Sequence, residues 1–396
     1  MFRETKYTAI AAAVIGAFGA SNAQAIEFTY KDWKMDINGS VNAFYTTVNC
    51  KPDSSGTSIA GSTLGLSDNC LNDQAAIQNG LLPGYLKFTA ATQQKGLDIK
   101  GTIGFWPGTS LDNGAQTVGD VRTVWLSFGA ASWGEVKLGR DIGLFQQQAI
   151  LNDMTLIGVG GGDYFSGQIN TTLGMIGRGY IYTEFQPQIT YSSPKMGGFQ
   201  ASLGAFQPRN TAGVGGSDFK FTTTPGFQGL ASFDWAGDYA GKVWGSFAFQ
   251  QGENSAGDTR KGNGYELGGK VGFFGAEAML VGFTGKGLGD AIQFINGHDD
   301  NGEKRDSSGF LAQLTYKFGD LKVGASYGQN KLDQTSFDEA NTPNLLDKRQ
   351  AYVLGLYYSL TPNVTLVGEY VNEKETSHNG LNYKADTIGL GAILFF

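Results

Sequence analysis

The chain has 396 residues and a formal net charge of −7, so it offers no basic stripe for nucleic acid. A mean hydropathy of −0.20 is too polar for a bundle of membrane-spanning helices. The composition, with 60 Gly, 27 Phe, 17 Tyr, 6 Trp and only 9 Pro, instead indicates many short strands joined by tight turns.

The N-terminus has the pattern of a secretory signal peptide. Two basic residues, Arg3 and Lys6, precede an apolar core and an A-x-A cleavage site that ends at Ala25. The apolar core is shorter than the roughly 17 residues that a membrane-spanning helix needs. We therefore expect residues 1–25 to be removed and residues 26–396 to form one domain.

Cys50 and Cys70 lie in one polar segment between two strand patterns. In an exported protein, two isolated cysteines this close are expected to form a disulfide. It would close a loop of about 20 residues and stabilise the fold by roughly 3 kcal/mol on the chain-entropy model. A zinc site would need four ligands, and no histidine is nearby. We predict a Cys50–Cys70 disulfide and no metal site.

Alternation of apolar and polar residues is the dominant pattern after the signal peptide, and it predicts strands. Counting these segments gives sixteen strands, at residues 35–47, 85–95, 97–106, 118–129, 135–140, 186–193, 199–207, 226–235, 242–251, 264–273, 276–285, 309–318, 321–330, 349–360, 363–373 and 385–396.

The connections between these strands alternate between very short and long. Residues 274–275 form a two-residue turn, whereas residues 286–308 and 331–348 are long, polar and rich in Asp and Asn. Tight turns at one end and long loops at the other are typical of bacterial outer-membrane barrels, as are strands of about ten residues. The predicted fold is all-β, an antiparallel transmembrane barrel of sixteen strands with short periplasmic turns and long extracellular loops. A barrel of this size encloses an aqueous channel.

The longest connection, residues 141–184, follows the fifth predicted strand. It contains a run of glutamines at residues 146–148, a cluster of glycines at residues 158–162 and only scattered charges. A loop of this length in a compact chain is normally either functional or disordered. Its role therefore depends on the fold in which it is placed.

The last predicted strand alternates apolar residues up to a terminal Phe396, which looks like the assembly signal read by the barrel-insertion machinery. Together with MDINGSVNAFYTT at residues 35–47, WGEVKLGRD at 133–141 and ITYSSPKMGGF at 189–199, it resembles the Gram-negative general-diffusion porins. The resemblance implies a homotrimer of sixteen-stranded barrels in the outer membrane. It also implies that the third loop, residues 141–184, folds into the lumen and narrows the pore.

In such a barrel, charged side chains at the narrowest point select ions and small solutes. The candidates are three lysines on water-facing strand positions and three aspartates on the loop: Lys87, Lys100, Lys137, Asp141, Asp153 and Asp163. If the two sets face each other, they produce a field across the pore. Each of the six could equally be a solvated charge at the rim.

Two arguments disagree about Arg140. Strict alternation gives it the parity of Val136 and Leu138, which faces lipid, where arginine is costly. The matching Gly-Arg of related porins turns a basic side chain to the pore wall, and the resemblance therefore assigns Arg140 to the basic side. Arg122 and Arg178 are weaker candidates for the pore lining.

These observations predict an outer-membrane porin that passes ions and small hydrophilic solutes passively, without a cofactor. The alternatives are a substrate-selective channel with a saturable site and a structural or adhesive barrel with a plugged lumen. Catalysis is not expected, because His298 and His378 lie in predicted outer loops. The acidic segment beside His298 is expected to be a solvated loop rather than a site for a divalent cation.

The expected partners follow from the predicted location. They are further copies of the chain in a homotrimer, outer-membrane lipid and lipopolysaccharide, small hydrophilic solutes, and the barrel-assembly machinery through the strand ending at Phe396. No nucleic-acid partner is expected.

Overall fold

The structure is a computed structural model that describes residues 25–62, 64–109, 119–162, 171–210 and 219–396. The expected signal peptide up to residue 24 and the predicted pore residue Asp163 lie outside them. The strands in the described residues are β1 Ile26–Tyr30, β2 Trp33–Lys51, β3 Gln74–Gln78, β4 Tyr85–Gln94, β5 Leu97–Pro107, β6 Gly119–Ala130, β7 Gly134–Ile142, β8 Phe185–Ser192, β9 Phe199–Phe206, β10 Gly226–Trp235, β11 Gly241–Glu253, β12 Thr259–Phe273, β13 Ala276–Lys286, β14 Asp306–Phe318, β15 Leu321–Leu332, β16 Leu346–Ser359, β17 Val364–Ser377 and β18 Asn382–Phe395.

Sixteen of these strands close into one antiparallel barrel. Each strand from β4 to β18 pairs with the next, β18 pairs with β2, and β2 pairs with β4. The short strand β3 pairs with the far half of β2, so β3 and β4 share one place in the ring. The strand β1 is a hairpin partner of the start of β2. The predicted sixteen-stranded barrel is confirmed.

Several strands are longer than predicted from the alternation. The strand β12 has 15 residues, and β16, β17 and β18 have 14 each. The predicted bounds followed the apolar alternation, but polar residues such as Arg260 and Lys261 continue the hydrogen-bonded ladder beyond it. The connection after β17 is therefore only four residues long, residues 378–381.

The two faces of the barrel differ in polarity, as alternation predicts. Large apolar residues point outward, among them Leu354, Leu356 and Leu390, which are 56–58% exposed. Their neighbours along the strands point inward and are buried or half-buried. Within the described residues, no helix is both long enough and apolar enough to span a membrane.

The long loops fold into the barrel, and they carry all the helices that the structure describes. These are α1 Leu66–Asn69, α2 Gln147–Asn152, a 3-10 helix Met154–Ile157, and α3 Ser336–Asn341. We call residues 143–184, between β7 and β8, the inner loop. It contains α2 and the 3-10 helix and corresponds to the predicted third loop.

A hydrophobic core lies inside the barrel, between the inner loop and one side of the wall. Met154, Leu156 and Tyr180 of the loop belong to the same buried cluster as Trp244 and Val281 of β11 and β13. Burial of large side chains of this kind is worth roughly 1.5–3 kcal/mol each. The inner loop is therefore held against the wall by the same hydrophobic effect that builds a soluble core.

The predicted disulfide is present and fixes the first long loop. Cys50 and Cys70 are joined, with their Cα atoms 5.3 Å apart. This link ties the end of β2 to α1. The amide of Leu66, at the start of α1, donates to Glu375 of β17 at 2.7 Å. The first loop is thus attached to the wall at both ends of the helix.

The inward carboxylates of β17 anchor the loops. Glu369 accepts hydrogen bonds from the amides of Val159 and Gly160 at 2.8 and 2.7 Å. The hydroxyl of Tyr357 donates to the same carboxylate at 2.6 Å. A loop inside a barrel has no strand partner for its amides, so these bonds supply acceptors that the loop backbone lacks.

Two buried ion pairs continue this anchoring along β17. Glu373 pairs with Arg178 of the inner loop, and both side chains are 1% exposed. Glu375 pairs with Arg349 of β16 at 3.0 Å, and Arg349 also reaches Asp290 at 2.8 Å. Breaking a buried pair by removing one partner typically costs about 3–5 kcal/mol. The glutamates of β17 therefore hold three different loops in the lumen.

Replacing Glu369 with alanine should destabilise the barrel. Its buried donors lose their acceptor, and each such loss costs about 1–3 kcal/mol. We expect E369A to lower the free energy of unfolding by at least about 2 kcal/mol, measured by urea unfolding in detergent. The control E27A removes a glutamate whose ion pair lies in solvent and should change it by less than about 1 kcal/mol. Equal unfolding curves for E369A and wild type would contradict the anchoring role.

Candidate pore constriction

Three predicted lysines lie at inward-facing positions on nearby strands: Lys87 of β4, Lys100 of β5 and Lys137 of β7. We call these three residues the basic wall. Residues directly opposite each other in an antiparallel pair share a face. Ser127 of β6 is the register partner of both Lys100 and Lys137, and it is fully buried inside the barrel. The structure therefore brings these lysines to one side of the lumen.

The three lysines differ in their partners. Lys100 lies 3.5 Å from Glu135, and Lys137 lies 2.5 Å from Asp141. Lys87 instead sits over the ring of Tyr85, 5.2 Å from its centroid. Among the described residues, Lys87 forms no ion pair with a carboxylate. The wall thus carries two lysines that are paired with a carboxylate and one, Lys87, that has no ion pair with a described residue.

Asp141 lies on the basic wall and not on the opposite side of the pore. It is the last but one residue of β7 and the register partner of Gln186. Its carboxylate is bound by Lys137, four residues earlier on the same strand. The prediction that Asp141 faces the lysines across the lumen is wrong, because the strand continues through it before the loop begins.

Asp153 does not face the pore. It is 4% exposed, and its Oδ1 accepts from the amide of Thr155 at 2.9 Å at the start of the 3-10 helix. Its Oδ2 accepts from the hydroxyl of Tyr180 at 2.7 Å and the amide of Met175 at 3.2 Å. The predicted pore role of Asp153 is wrong, because the carboxylate joins two arms of the inner loop.

Arg140 is not placed among the basic wall residues. Its register partners are Val124 and Pro187, and both of these residues are exposed. Val124 belongs to the apolar outer face. The alternation argument therefore prevails over the role carried over from the family resemblance, and we remove Arg140 from the pore wall.

The two weaker arginine candidates are both engaged in contacts. Arg122 donates to Asp120 at 2.7 Å and lies over the ring of Phe185, 5.7 Å from its centroid. Arg178 is buried in its ion pair with Glu373. Arg178 is thus an anchor of the inner loop, and its predicted place in the pore lining is wrong.

Three further half-buried inward lysines, which were not predicted from the sequence, lie near the turn end of the barrel: Lys242 of β11, Lys270 of β12 and Lys322 of β15. We call them the opposite lysines. Lys242 and Lys270 are direct register partners. Lys242 lies 3.4 Å from Asp234 and Lys270 lies 3.0 Å from Glu277.

Lys322 resembles Lys87 in having an aromatic partner. It lies 4.8 Å from the ring centroid of Tyr357, and it forms no ion pair with a described residue. Period-two parity marks all three opposite lysines as water-facing. They were overlooked because the predicted lysines came only from the strands before the long loop.

Helix α2 of the inner loop carries only neutral side chains, and the half-exposed Glu184 at the end of the loop is paired with Arg209. Helix α2 buries Ala149 and Ile150 against the wall. Its half-exposed residues are Gln147, Gln148 and Leu151. The amide oxygen of Gln148 accepts from Lys242 at 3.0 Å, which fixes the helix beside the opposite lysines. In the described part of the chain, an amide of the inner loop thus lies against a lysine of the barrel wall.

The acidic segment beside His298 makes contacts within the protein. His298 packs against the ring of Phe219, and its Nε2 lies 3.1 Å from the carbonyl of Lys261. Asp299 accepts from the hydroxyl of Thr335 at 2.6 Å. Across the described residues, no group of three or more His, Cys, Asp or Glu side chains could hold a metal ion.

Solved structures with the same fold are outer-membrane channels. The outer membrane channel DcaP of Acinetobacter baumannii superposes with a TM-score of 0.72 at 17% identity, covering 93% of this chain and 99% of that one. An anion-selective porin from Comamonas acidovorans gives 0.63 at 16% identity, covering 92% and 100%. Salmonella typhi OmpF, in complex with daunomycin, gives 0.59 at 15% identity, covering 94% and 100%. Such low identities establish the fold alone.

The family follows from the sequence itself. No curated protein matches the chain. The sequence model of the Gram-negative porins, however, matches residues 9–378, nearly the whole chain. Fold and family are those of a channel rather than an enzyme. Since the match extends over all but the last strand of a closed sixteen-stranded barrel, the chain belongs to the Gram-negative porins and is an outer-membrane channel for the diffusion of small solutes.

Proposed function

We propose that this porin prefers small anions to cations. The observation that carries the proposal is the set of six half-buried inward lysines facing a loop whose two described carboxylates are engaged. Asp153 is buried, and Glu184 is paired with Arg209. The inward acids near them, Glu135, Asp141, Asp234 and Glu277, each lie beside one lysine. Four of the six lysines are thus paired. Lys87 and Lys322 form no ion pair with a described residue, and only more distant carboxylates act on them, among them Asp36 for Lys87 and Glu369 for Lys322.

The mechanism is electrostatic, since a pore wall of one charge raises the local concentration of the opposite ion. A unit charge about 4 Å from a permeating ion is worth about 1 kcal/mol in water-like surroundings. That energy corresponds to roughly a fivefold change in a permeability ratio. Two lysines without an ion pair therefore suffice for a measurable anion preference.

A channel with a saturable site is a second candidate, favoured by one observation. Lys87 lies between two aromatic rings, 5.2 Å from the centroid of Tyr85 and 5.4 Å from that of Trp106. A half-exposed ring next to an ammonium group would bind an anion that carries an apolar part. Block of the ionic current by micromolar benzoate, but not by acetate, would support this candidate over general diffusion.

We also propose that the chain assembles as a homotrimer and inserts through its last strand. One solved neighbour, OmpT of Vibrio cholerae folded in vitro, is a trimer form of that protein. In this chain, Phe396 exchanges backbone hydrogen bonds of 2.8 and 3.0 Å with Gly39. A C-terminal residue held in the barrel seam is consistent with its use by the assembly machinery. Cleavage after Ala25 and contact with lipopolysaccharide belong to the same proposal.

Charge reversal on the basic wall should shift ion selectivity toward cations. We expect K87E to have the largest effect, about fivefold or more in the anion-to-cation permeability ratio, because Lys87 has no carboxylate partner to offset the change. K100E and K137E should shift it in the same direction by less. The measurement is the reversal potential of single channels in a potassium chloride gradient. The control K95E lies in the exposed β4–β5 turn and should leave the potential unchanged. Unchanged potentials for K87E would remove it from the constriction.

Neutralising Asp141 should change ion selectivity, whereas neutralising Asp153 should change stability. D141N removes a half-exposed acid from the basic wall, so we expect anion preference to rise and stability to change by less than about 1 kcal/mol. D153N disturbs a buried acceptor of several donors and should lower the free energy of unfolding by about 1–3 kcal/mol. Reversal potentials and urea unfolding separate the two. A pure selectivity shift in D153N, with wild-type stability, would show that Asp153 faces the pore.

A further inference from the structure

Three lysines lie side by side on the outer face of the barrel, at the end that carries the long loops. Lys374 of β17 is the register partner of Lys384 of β18, which is the partner of Lys51 of β2. We call these three the rim lysines. Directly opposite side chains in an antiparallel pair lie about 5 Å apart at Cβ. The rim lysines therefore form one continuous row across three strands.

This row is unfavourable for the isolated barrel. Like charges directly opposite each other destabilise a sheet, and a chain with net charge −7 has no general excess of lysine. Lys51 pairs with Asp386, two residues along β18. Neither Lys374 nor Lys384 forms an ion pair with any residue that the structure describes. Two adjacent positive charges are thus left without a carboxylate.

A second lysine pair extends the charged surface along the rim. Lys331 of β15 and Lys348 of β16 are direct register partners on the same outer face. Neither of them forms an ion pair within the described part of the chain. Five lysines therefore lie on five neighbouring strands, from β15 through β18 to β2.

The row lies just beyond the apolar band of the barrel. Along the outer face of β18, Lys384 is followed by Asp386 and then by the exposed apolar residues Ile388 and Leu390. On β17 the outward residue four positions nearer the middle is Tyr370, which is 42% exposed. Aromatic residues mark the membrane interface in outer-membrane barrels, and the long loops face the cell exterior. The rim lysines thus lie at the depth of the outer-leaflet head groups.

We propose that the rim lysines, with Lys331 and Lys348, bind the phosphate groups of lipopolysaccharide in the outer leaflet. Lysines whose Cβ atoms are about 5 Å apart can direct more than one ammonium group to the same phosphate, which offers three acceptor oxygens. The apolar band directly below receives the acyl chains of the same molecule. A phosphorylated lipid satisfies both features, whereas a free anion uses only the first. The proposal rests on the outer-membrane location and is independent of the ion preference of the pore.

The test is lipopolysaccharide binding to the full-length barrel in detergent. The variant K374Q/K384Q removes the two unpaired charges and should weaken binding about 25-fold, roughly fivefold for each lysine. The double variant K374R/K384R should retain binding. The control K31Q/K95Q neutralises two exposed lysines at the turn end and should bind as wild type. Dephosphorylated lipopolysaccharide should bind wild type as weakly as intact lipid binds K374Q/K384Q.

Single-channel conductance serves as the folding control, since the rim lysines face away from the lumen. It should be unchanged in K374Q/K384Q. Equal lipid affinity in wild type and K374Q/K384Q would overturn the proposal. So would an equal loss in K31Q/K95Q, or competition by millimolar inorganic phosphate that displaces the lipid completely. A change in subunit stoichiometry with unchanged lipid affinity would overturn it as well, by assigning the row to contact between copies of the chain.

Discussion

The architecture depends on one constraint, that a long loop inside a barrel must find acceptors for its backbone amides away from any strand partner. The inward carboxylates of β17 meet this requirement. Glu369 accepts hydrogen bonds from two consecutive amides of the inner loop, and Glu373 forms an ion pair with Arg178. Glu375 accepts a hydrogen bond from the amide of Leu66 at the start of α1. Because these groups are buried, each bond is costly to lose, and the loops keep one position against the wall.

This anchoring determines what the pore can offer to a solute. The charged groups of the inner loop that the structure describes are used internally, as in Asp153 and Arg178, so the loop faces the lumen with amides. Among the described residues, the charges that can act on a solute are therefore those of the strands. Period-two alternation fixes which strand side chains face water. Among these, Lys87 and Lys322 form no ion pair with a described residue. Positive side chains on the wall, facing a loop without exposed charge in helix α2, attract anions and repel cations.

Much of the fold was predictable from sequence, because alternation over sixteen segments is a local signal that the ladder hydrogen bonds preserve. The positions of Lys87, Lys100 and Lys137 followed from the same parity. Asp153 could not be placed, because its burial depends on Thr155, Met175 and Tyr180 meeting in three dimensions. The β17 glutamates were overlooked for a related reason. At a water-facing position of a strand, the sequence does not distinguish a carboxylate bound by a loop from one bound by water.

We propose that inward lysines without an ion pair, facing a loop whose described charged groups are engaged in contacts, set the selectivity of an open pore. The reversal potential of single wild-type channels in a tenfold gradient of potassium chloride tests it most directly. An anion-preferring open pore should show stepwise conductance and a reversal potential displaced toward the chloride equilibrium potential. A potential displaced toward that of potassium, or the absence of stepwise conductance, would contradict it.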